Sequence, residues 1–265
     1  MIRLIAIVVS LFATTALAEK MKLAVTTSFH NSGLSDLLLP VILEDTGLEV
    51  QLLIVGTGQA LRLGEAGDVD AILVHSEAAE EVFVENGFAP YRREIMYNDF
   101  VVVGPQTDPA DIASADTAVD ALTRIAIIQA PFVSRGDASG THKKELFLWT
   151  SIKLDPKLFG TWYNAVGAGM GASLNTASGL GAYILTDRAS WLNFANKGEL
   201  DLLFEGDPIL FNQYAYLPID SKRHPHVNIQ AQRLLESWLT SKRAETLING
   251  YTVDGTNVFV FNAFR

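Results

Sequence analysis

Short hydrophobic runs alternate with amphipathic segments along most of the chain. The runs are apolar at nearly every position, which is typical of parallel β-strands that helices cover on both faces. We predict strands over 21–26, 49–55, 71–75, 100–103, 124–129, 162–166, 182–185, 200–204 and 214–218. We predict helices over 33–44, 58–65, 77–86, 116–122, 140–151, 171–178 and 188–196. Repeated β-α-β units of this kind indicate a doubly wound α/β protein.

The C-terminal part of the chain breaks this alternation. Residues 228–249 form one long helical pattern whose apolar side chains recur on a single face. A chain of 265 residues is long enough for two domains. Passage into a second domain and back, with crossings near 97–103 and 207–217, would place the terminal helix on the first domain.

The N-terminus has the features of a secretory signal peptide. Arg3 precedes an almost wholly apolar run over 4–17, and the run ends in the small-residue pattern Ala16-Leu-Ala18. As a membrane anchor the run is too short to span a bilayer comfortably. We therefore expect export of the chain and cleavage after Ala18.

The composition narrows the classes of function. The chain has no cysteine, so neither a disulfide nor a lipid-modified cysteine is expected, and we expect a free periplasmic protein. The formal net charge of −10 gives little electrostatic support to a nucleic-acid partner. A small anion site is still compatible with this charge, because local hydrogen-bond donors decide such binding.

Small polar residues collect in four turns between predicted strands and helices. In an open α/β sheet, ligands bind beyond the carboxyl ends of the strands, and free backbone N–H groups at helix starts bind anions. Any one turn is better explained by ordinary helix capping. Together, and with an arginine among them, they predict an oxyanion site. The turns are Thr26-Thr27-Ser28, Gly56-Thr57-Gly58, Ser134–His142 and Gly167–Gly171.

Arg135 is the most informative residue of these turns. A planar guanidinium donates two hydrogen bonds in a fixed fork, which suits a tetrahedral oxyanion. We interpret the nearby Asp137 as the partner of this arginine or as a hydrogen-bond acceptor within the turn, rather than as a ligand group. The small residues of the same turn that we include in the site are Ser139, Gly140 and Thr141.

Three cationic or titratable side chains open the next predicted helix: His142, Lys143 and Lys144. A helix start favours carboxylates, because the helix dipole is positive at that end. A bound anion would supply the missing negative charge.

Two motifs favour an enzyme instead. Ser139 and His142 superficially resemble a serine nucleophile and its base, but the G-x-S-x-G elbow is absent and the α/β pattern does not suit a chymotrypsin-like barrel.

The segment Gly167–Ala172 fits the dinucleotide pattern G-x-G-x-x-A, with Asp187 at the distance of a ribose-binding acid. That pattern normally lies in the first β-α unit, and export separates the chain from cytoplasmic NAD. We therefore interpret these glycines as helix-packing residues.

Metal binding has little support. The histidines lack the spacing of metal ligands, apart from His224-Pro-His226 in a polar loop. We expect no metal site and no cofactor.

The polar turns lie within longer motifs. These are Thr26-Thr-Ser28 with Asn31-Ser-Gly-Leu34, Val55-Gly-Thr-Gly-Gln-Ala60, Asp70-Ala-Ile-Leu-Val-His75, Met96-Tyr-Asn-Asp-Phe-Val101, Ser134–Glu145, Gly169-Met-Gly171 and Leu185-Thr-Asp-Arg188. Together they resemble the motifs of the Tup-type tungstate-binding proteins over essentially the whole mature chain. The resemblance implies a type II periplasmic binding protein, an α/β fold of two doubly wound lobes joined by a two-strand hinge. Lobe I is expected to comprise residues 19–100 and 217–265, and lobe II residues 101–216.

The resemblance also implies a function. The protein is expected to bind tungstate, or alternatively molybdate, through the oxygens of the anion and to close its lobes around it. A monomer would then deliver the anion to the permease and ATPase subunits of an ABC transporter. The alternative is an exported enzyme that acts on a phosphorylated or carboxylated metabolite. With Ser139 and Gly140, the expected ligand groups are those of Thr26, Thr27, Ser28, Gly56, Thr57, Gly58, Arg135 and Thr141.

Overall fold

The computed structural model describes residues 19–263 as an alternation of strands and helices. The strands are β1 (Glu19–Thr26), β2 (Leu48–Val55), β3 (Ala71–Val74), β4 (Arg93–Pro105), β5 (Phe132–Ser134), β6 (Tyr163–Ala165), β7 (Tyr183–Asp187), β8 (Leu200–Phe204), β9 (Phe211–Pro218), β10 (Thr252–Val253), β11 (Thr256–Asn257) and β12 (Val260–Phe261). The α-helices are α1 (Thr27–Asn31), α2 (Leu34–Thr46), α3 (Thr57–Ala66), α4 (Glu77–Glu85), α5 (Ala118–Ile128), α6 (Gly140–Ser151), α7 (Met170–Leu180), α8 (Arg188–Asn193), α9 (Ile229–Leu239) and α10 (Lys242–Asn249). Short 3-10 helices occur at Ile112–Ser114, Pro156–Leu158 and Pro208–Leu210.

Two mixed sheets share the long strand β4. In the first sheet the strand order is β2-β1-β3-β9-β4, with β1 parallel to β2 and β3. In the second sheet the order is β8-β4-β7-β5-β6, with β5 parallel to β6 and β7. Residues 93–99 of β4 pair with β9, whereas 100–105 pair with β7 and β8. The chain therefore passes from one sheet to the other within β4.

Four hydrophobic clusters fill the faces of the two sheets. Each sheet is buried on both faces, which explains why the strands read as continuous apolar runs. This arrangement confirms the prediction of two doubly wound α/β lobes. Representative residues are Leu34 and Leu235 in one face of the first sheet, Ala60 and Ile72 in the other, and Trp149 with Phe132 and Leu174 with Ile184 in the two faces of the second.

The strand predicted over 124–129 is wrong, because this segment is the second half of α5. An apolar run alone does not distinguish a buried strand from part of a helix. Here Ile127 is 74% exposed and Ile128 is 50% exposed, so the run is not buried as a whole. The buried positions recur at helical spacing: Ala118, Ala121, Leu122 and Ile125.

The long helix predicted over 228–249 is two helices, α9 and α10. The Oγ of Ser241 accepts a hydrogen bond from Ala244 N at 3.2 Å and caps the second helix. A serine in extended conformation at an N-cap ends one helix and starts the next, although the apolar positions continue in nearly the same register. The terminal helices pack on the first sheet, as predicted.

The limits of the two lobes stay a prediction. All of β9 pairs with β3 or with the first half of β4. We therefore propose that lobe I resumes at Phe211 rather than at Leu217. The expected signal peptide and its cleavage after Ala18 lie outside the described residues. Within 19–263, no helix combines the length and the apolar character that a membrane crossing requires.

Candidate functional site

Each of the four polar turns starts a helix at the carboxyl end of a strand. The Oγ1 of Thr26 accepts from Phe29 N at 3.2 Å and caps α1, while Gly56 precedes α3. The Oγ of Ser139 accepts from His142 N at 3.2 Å and caps α6. The fourth turn includes Gly169, the N-cap of α7. Side chains thus cap α1 and α6, whereas the glycines before α3 and α7 leave the first N–H groups of these helices without a side-chain partner.

Two hydrogen bonds connect the turns of lobe I with those of lobe II. Gly140 N donates to Thr57 Oγ1 at 3.1 Å. Arg135 Nη2 donates to Thr27 Oγ1 at 3.4 Å. Residues more than 80 positions apart in sequence are therefore neighbours at the cleft between the two sheets.

Most side chains of the predicted ligand set are buried in this cleft, whereas Thr27, Gly56 and Gly58 are half-buried. Thr141 Oγ1 has no hydrogen-bond partner among the described residues. A buried hydroxyl without a protein partner is unusual, and here it offers a hydrogen for a ligand. The side chains that are at most 2% exposed are those of Thr26, Ser28, Thr57, Arg135, Ser139 and Thr141.

Arg135 is paired within its own turn. Its Nη2 donates to a carboxylate oxygen of Asp137, and its Nε donates to Ala168 O at 3.4 Å. The other oxygen of Asp137 accepts from Ser139 N at 3.2 Å. Asp137 is thus both the partner of Arg135 and an acceptor within the turn, and its carboxylate fixes the guanidinium at the cleft.

The side chains at the start of α6 leave this end of the helix electropositive. No carboxylate lies in its first turn. Burial lowers the pKa of His142, Lys143 and Lys144. Lys144 Nζ also donates to the main-chain oxygens of Ile209 at 2.9 Å and Phe211 at 3.2 Å. The ammonium group of Lys144 thus has carbonyl oxygens as hydrogen-bond partners. The positive end of the α6 dipole remains without a compensating carboxylate and can attract an anion.

His75 is a residue of the cleft that the sequence analysis did not include. Its Nε2 lies 2.9 Å from Ser28 Oγ, and only 5% of the residue is exposed. Burial, with a smaller contribution from the Arg135 charge, lowers the pKa of His75 to about 3. The imidazole is therefore neutral near pH 7. Its position directly after β3, at the sheet edge that carries the turns after β1 and β2, was the available signal.

Asp187 and Tyr214 lie beneath the cleft where the sheets meet. Asp187 is fully buried, and its Oδ1 accepts from Ser190 N at 2.9 Å. Burial raises the pKa of this carboxyl to about 6. The ring of Tyr214 lies 4.7 Å from that of His75 between centroids. Asp187 is buried and caps α8, so its carboxyl group is not accessible to a ribose. The dinucleotide interpretation therefore has no ribose-binding acid.

The serine-nucleophile interpretation also lacks its geometry. Ser139 Oγ acts as a helix cap, and His142 Nδ1 accepts from Ala138 N at 3.2 Å. The histidine ring thus holds a loop amide instead of activating the hydroxyl. This pattern gives no serine–histidine pair of the kind that nucleophilic catalysis requires.

The histidine pair near the C-terminal helices binds main-chain oxygens. His224 Nε2 lies 3.0 Å from Glu65 O, and His226 Nε2 lies 2.8 Å from Gly67 O. Across residues 19–263, no group of three or more His, Cys, Asp or Glu side chains is arranged to hold a metal ion.

Comparison with known sequences identifies relatives over most of the chain. The PBP superfamily domain matches residues 13–243. The tungstate-binding protein TupA of Peptoclostridium acidaminophilum is 42% identical over 247 residues, which cover 92% of this chain and 86% of that protein. The tungstate-binding protein TupA of Campylobacter jejuni is 34% identical over 240 residues, with 89% and 88% coverage.

Solved structures agree with these sequence relatives. The tungstate-binding protein TupA from Desulfovibrio alaskensis has a TM-score of 0.80 at 41% identity and covers 93% of this chain and 100% of its own. The tungstate ABC transporter structure from Geobacter sulfurreducens has a TM-score of 0.81 at 45% identity, with 88% and 99% coverage. With its two α/β lobes and these relatives, this chain has the type II periplasmic binding protein fold and belongs to the TupA family of tungstate-binding proteins.

Proposed function

We propose that this protein binds tungstate between its two lobes and delivers it to the membrane permease of an ABC transporter. The observation that carries the proposal is the cluster of buried hydrogen-bond donors contributed by both lobes. Thr26, Ser28 and Thr57 come from lobe I, and Arg135 and Thr141 come from lobe II. The names of the sequence relatives and structural neighbours support the choice of anion.

The chemistry of the cluster suits a dianion. Tungstate is fully deprotonated near neutral pH, so its oxygens require donors only. Hydroxyl groups, the free N–H groups at the starts of α3 and α6, and one guanidinium are donors. Burial of these groups keeps water from competing for them and strengthens their interaction with a charged ligand. Molybdate has the same charge and geometry and is the alternative ligand.

We propose the same ligand set that the sequence indicated. Thr141 Oγ1 is the strongest member by structure, because this buried hydroxyl has no protein partner among the described residues. Gly56 and Gly58 contribute main-chain N–H groups at the start of α3. Gly140 N donates to Thr57 Oγ1, so Gly140 acts in the set by holding this hydroxyl group at the cleft. The remaining members are Thr26, Thr27, Ser28, Thr57, Arg135 and Ser139.

Closure of the lobes is part of the proposal. The hydrogen bond from Gly140 to Thr57 crosses the cleft and would break when the lobes separate. An anion held by groups of both lobes favours the closed arrangement, as in other hinge-closing binding proteins. We further propose that the exported protein acts as a periplasmic monomer without a cofactor or a nucleic-acid partner, and that permease and ATPase subunits are its partners.

The groups at the anion site give less support to an enzymatic role than to anion binding. A general base would have to lie at the anion site, and the sequence offered Asp137 or His142. Asp137 is paired with Arg135, and the ring of His142 accepts from Ala138 N. Neither has a free acceptor aimed at a bound metabolite.

Isothermal titration calorimetry tests the proposal. The mature protein is titrated with sodium tungstate, molybdate, sulfate and phosphate at pH 7.5, and its melting temperature is measured with each anion. We expect one tungstate per chain and a melting temperature that rises with tungstate concentration, because a ligand that binds only the folded state stabilises it. Absence of binding heat and of stabilisation with tungstate would contradict the proposed function.

A further inference from the structure

His75 is connected to the hydroxyl turn of lobe I. Its Nε2 lies 2.9 Å from Ser28 Oγ, and Ser28 Oγ lies 3.0 Å from Thr26 Oγ1. Thr26 Oγ1 in turn accepts from Phe29 N at 3.2 Å. The direction of the hydrogen bonds in this chain depends on which ring nitrogen of the neutral histidine carries the hydrogen.

The hydroxyl groups of Thr26 and Ser28 have two hydrogens between them, and the hydrogen bond that joins these two groups uses one of them. If His75 carries its hydrogen on Nε2, the ring donates to Ser28 Oγ. One hydroxyl hydrogen then remains for a ligand, whichever of the two hydroxyls donates to the other. If Nε2 carries no hydrogen, Ser28 must donate to the ring and Thr26 must donate to Ser28. No hydroxyl hydrogen is then left, and the pair presents lone pairs to the cleft.

The surroundings of the ring favour the hydrogen on Nε2. His75 Nδ1 is buried and makes no hydrogen bond of good geometry among the described residues, although the Asn212 side chain and the main-chain oxygen of His75 itself lie near the ring. A hydrogen on Nδ1 would therefore be a buried donor without a well-placed acceptor, and orphaned N–H groups are rarer in proteins than unsatisfied acceptors. The doubly protonated ring is excluded near pH 7, because burial and the charge of Arg135 hold the pKa of His75 at about 3.

We propose that His75 is a positioning residue, whose Nε2–H donates to Ser28 and so directs one hydroxyl hydrogen of the Thr26–Ser28 pair toward the bound oxyanion. The inference rests on the proposed function, since it assumes an anion in the cleft. His75 itself does not contact the anion. Its effect is to keep the hydroxyl turn a donor, which a dianion requires.

Nitrogen NMR tests the tautomer without any ligand. Protein labelled with ¹⁵N-histidine is examined in long-range ¹H–¹⁵N correlation spectra, and the signals of His75 are identified by their loss in His75→Gln. We expect the pattern of a neutral ring with its hydrogen on Nε2, unchanged between pH 6 and pH 8. A hydrogen on Nδ1, or on both nitrogens, would overturn the inference even if the protein binds tungstate normally.

A matched pair of variants tests the consequence for binding. His75→Gln and His75→Met place side chains of similar length and flexibility at the same position, but only glutamine can donate to Ser28. Loss of one hydrogen bond to a charged ligand should weaken tungstate binding by about ten- to a hundredfold in His75→Met. His75→Gln should recover most of this loss, to within about fivefold of the unchanged protein.

The outcomes separate this inference from the proposed function. Thermal unfolding without ligand first establishes that both variants fold. Equal loss of affinity in the two variants would assign His75 a packing role only and overturn the positioning role. If the unchanged protein fails to bind tungstate in calorimetry, the proposed function fails, whereas the tautomer in the NMR spectrum still reports on the ring itself.

Discussion

Gly140 of lobe II lies directly against the imidazole of His75 in lobe I. A Cβ atom on Gly140 would lie 2.5 Å from both Cε1 and Nδ1 of the ring and 2.8 Å from His75 O. Contacts below 3.0 Å do not occur for real Cβ atoms. The first residue of α6 must therefore be glycine if the two lobes are to approach this closely.

Replacement of Gly140 by alanine should hinder closure. The added methyl group would separate the lobes or displace the ring, at a cost of about 1–3 kcal/mol. This corresponds to roughly five- to 150-fold weaker tungstate binding in calorimetry. Small-angle X-ray scattering should show a smaller decrease in radius of gyration with tungstate than in the unchanged protein.

Gly179→Ala is the matched control for this variant. Gly179 is exposed near the end of α7, outside the four polar turns, and a Cβ atom there would have no neighbour within 4 Å. Its affinity should equal that of the unchanged protein. Normal affinity and normal compaction in Gly140→Ala would show that closure does not depend on this contact.

Removal of the guanidinium should have a larger effect. Arg135→Ala removes charge-assisted hydrogen bonds to the anion, at an expected cost of about 2–4 kcal/mol. The dissociation constant should rise about thirty- to a thousandfold. Arg135→Lys should recover only part of this, because an ammonium group lacks the planar fork. Arg243→Ala serves as the control, because the Arg243 side chain lies in α10, is 55% exposed and pairs with Asp45. Unchanged calorimetric affinity in Arg135→Ala would remove this residue from the site.

Anion selectivity should follow from the excess of donors. Phosphate keeps at least one proton near neutral pH and needs an acceptor, and an unsatisfied proton costs about 1–3 kcal/mol. Both oxygens of Asp137 are engaged, by Arg135 and by Ser139 N. Sulfate needs no acceptor, but its S–O bonds are shorter than the W–O bonds of tungstate. Donors arranged around tungstate are therefore too distant from the oxygens of sulfate for good hydrogen bonds.

Competition titrations should rank tungstate at or above molybdate, both far above sulfate, with phosphate weakest. Phosphate that competes as well as tungstate would refute a site built from donors.

The buried carboxyl of Asp187 should make stability depend on pH. Its pKa is raised by burial from 3.8 to about 6, so its contribution to stability is fully present below pH 3.8 and is lost as the pH rises through 6. Asparagine can still cap α8 through its side-chain oxygen but does not ionise. Between pH 4 and pH 7, the free energy of unfolding of Asp187→Asn should therefore rise relative to the unchanged protein by up to about 3 kcal/mol. Chemical unfolding at a series of pH values measures this difference, and a constant difference would contradict the burial of an ionising group.

The sequence determined the fold class and most of the polar turns. Continuous apolar runs bounded by glycine and small hydroxyl residues report requirements that are local, namely burial on both faces of a strand and capping of the next helix. For this reason the turns at Thr26, Gly56 and Ser139 can be placed at helix starts from the sequence alone. The apolar run at 124–129 predicts a strand but forms a helix, because strands and helices both accept such runs and only the exposure of Ile127 and Ile128 distinguishes them.

Tertiary structure decided which turns meet and which residue supports them. The contact of Gly140 with Thr57 joins residues 83 positions apart, and no local pattern encodes such a distance. Likewise, the sequence predicts only that His75 lies at the end of a strand. Its neutral ring, its contact with Ser28 and its contact with Gly140 arise from burial between two lobes. Burial and long-range packing change the chemistry of a side chain, and they exist only after the chain has folded.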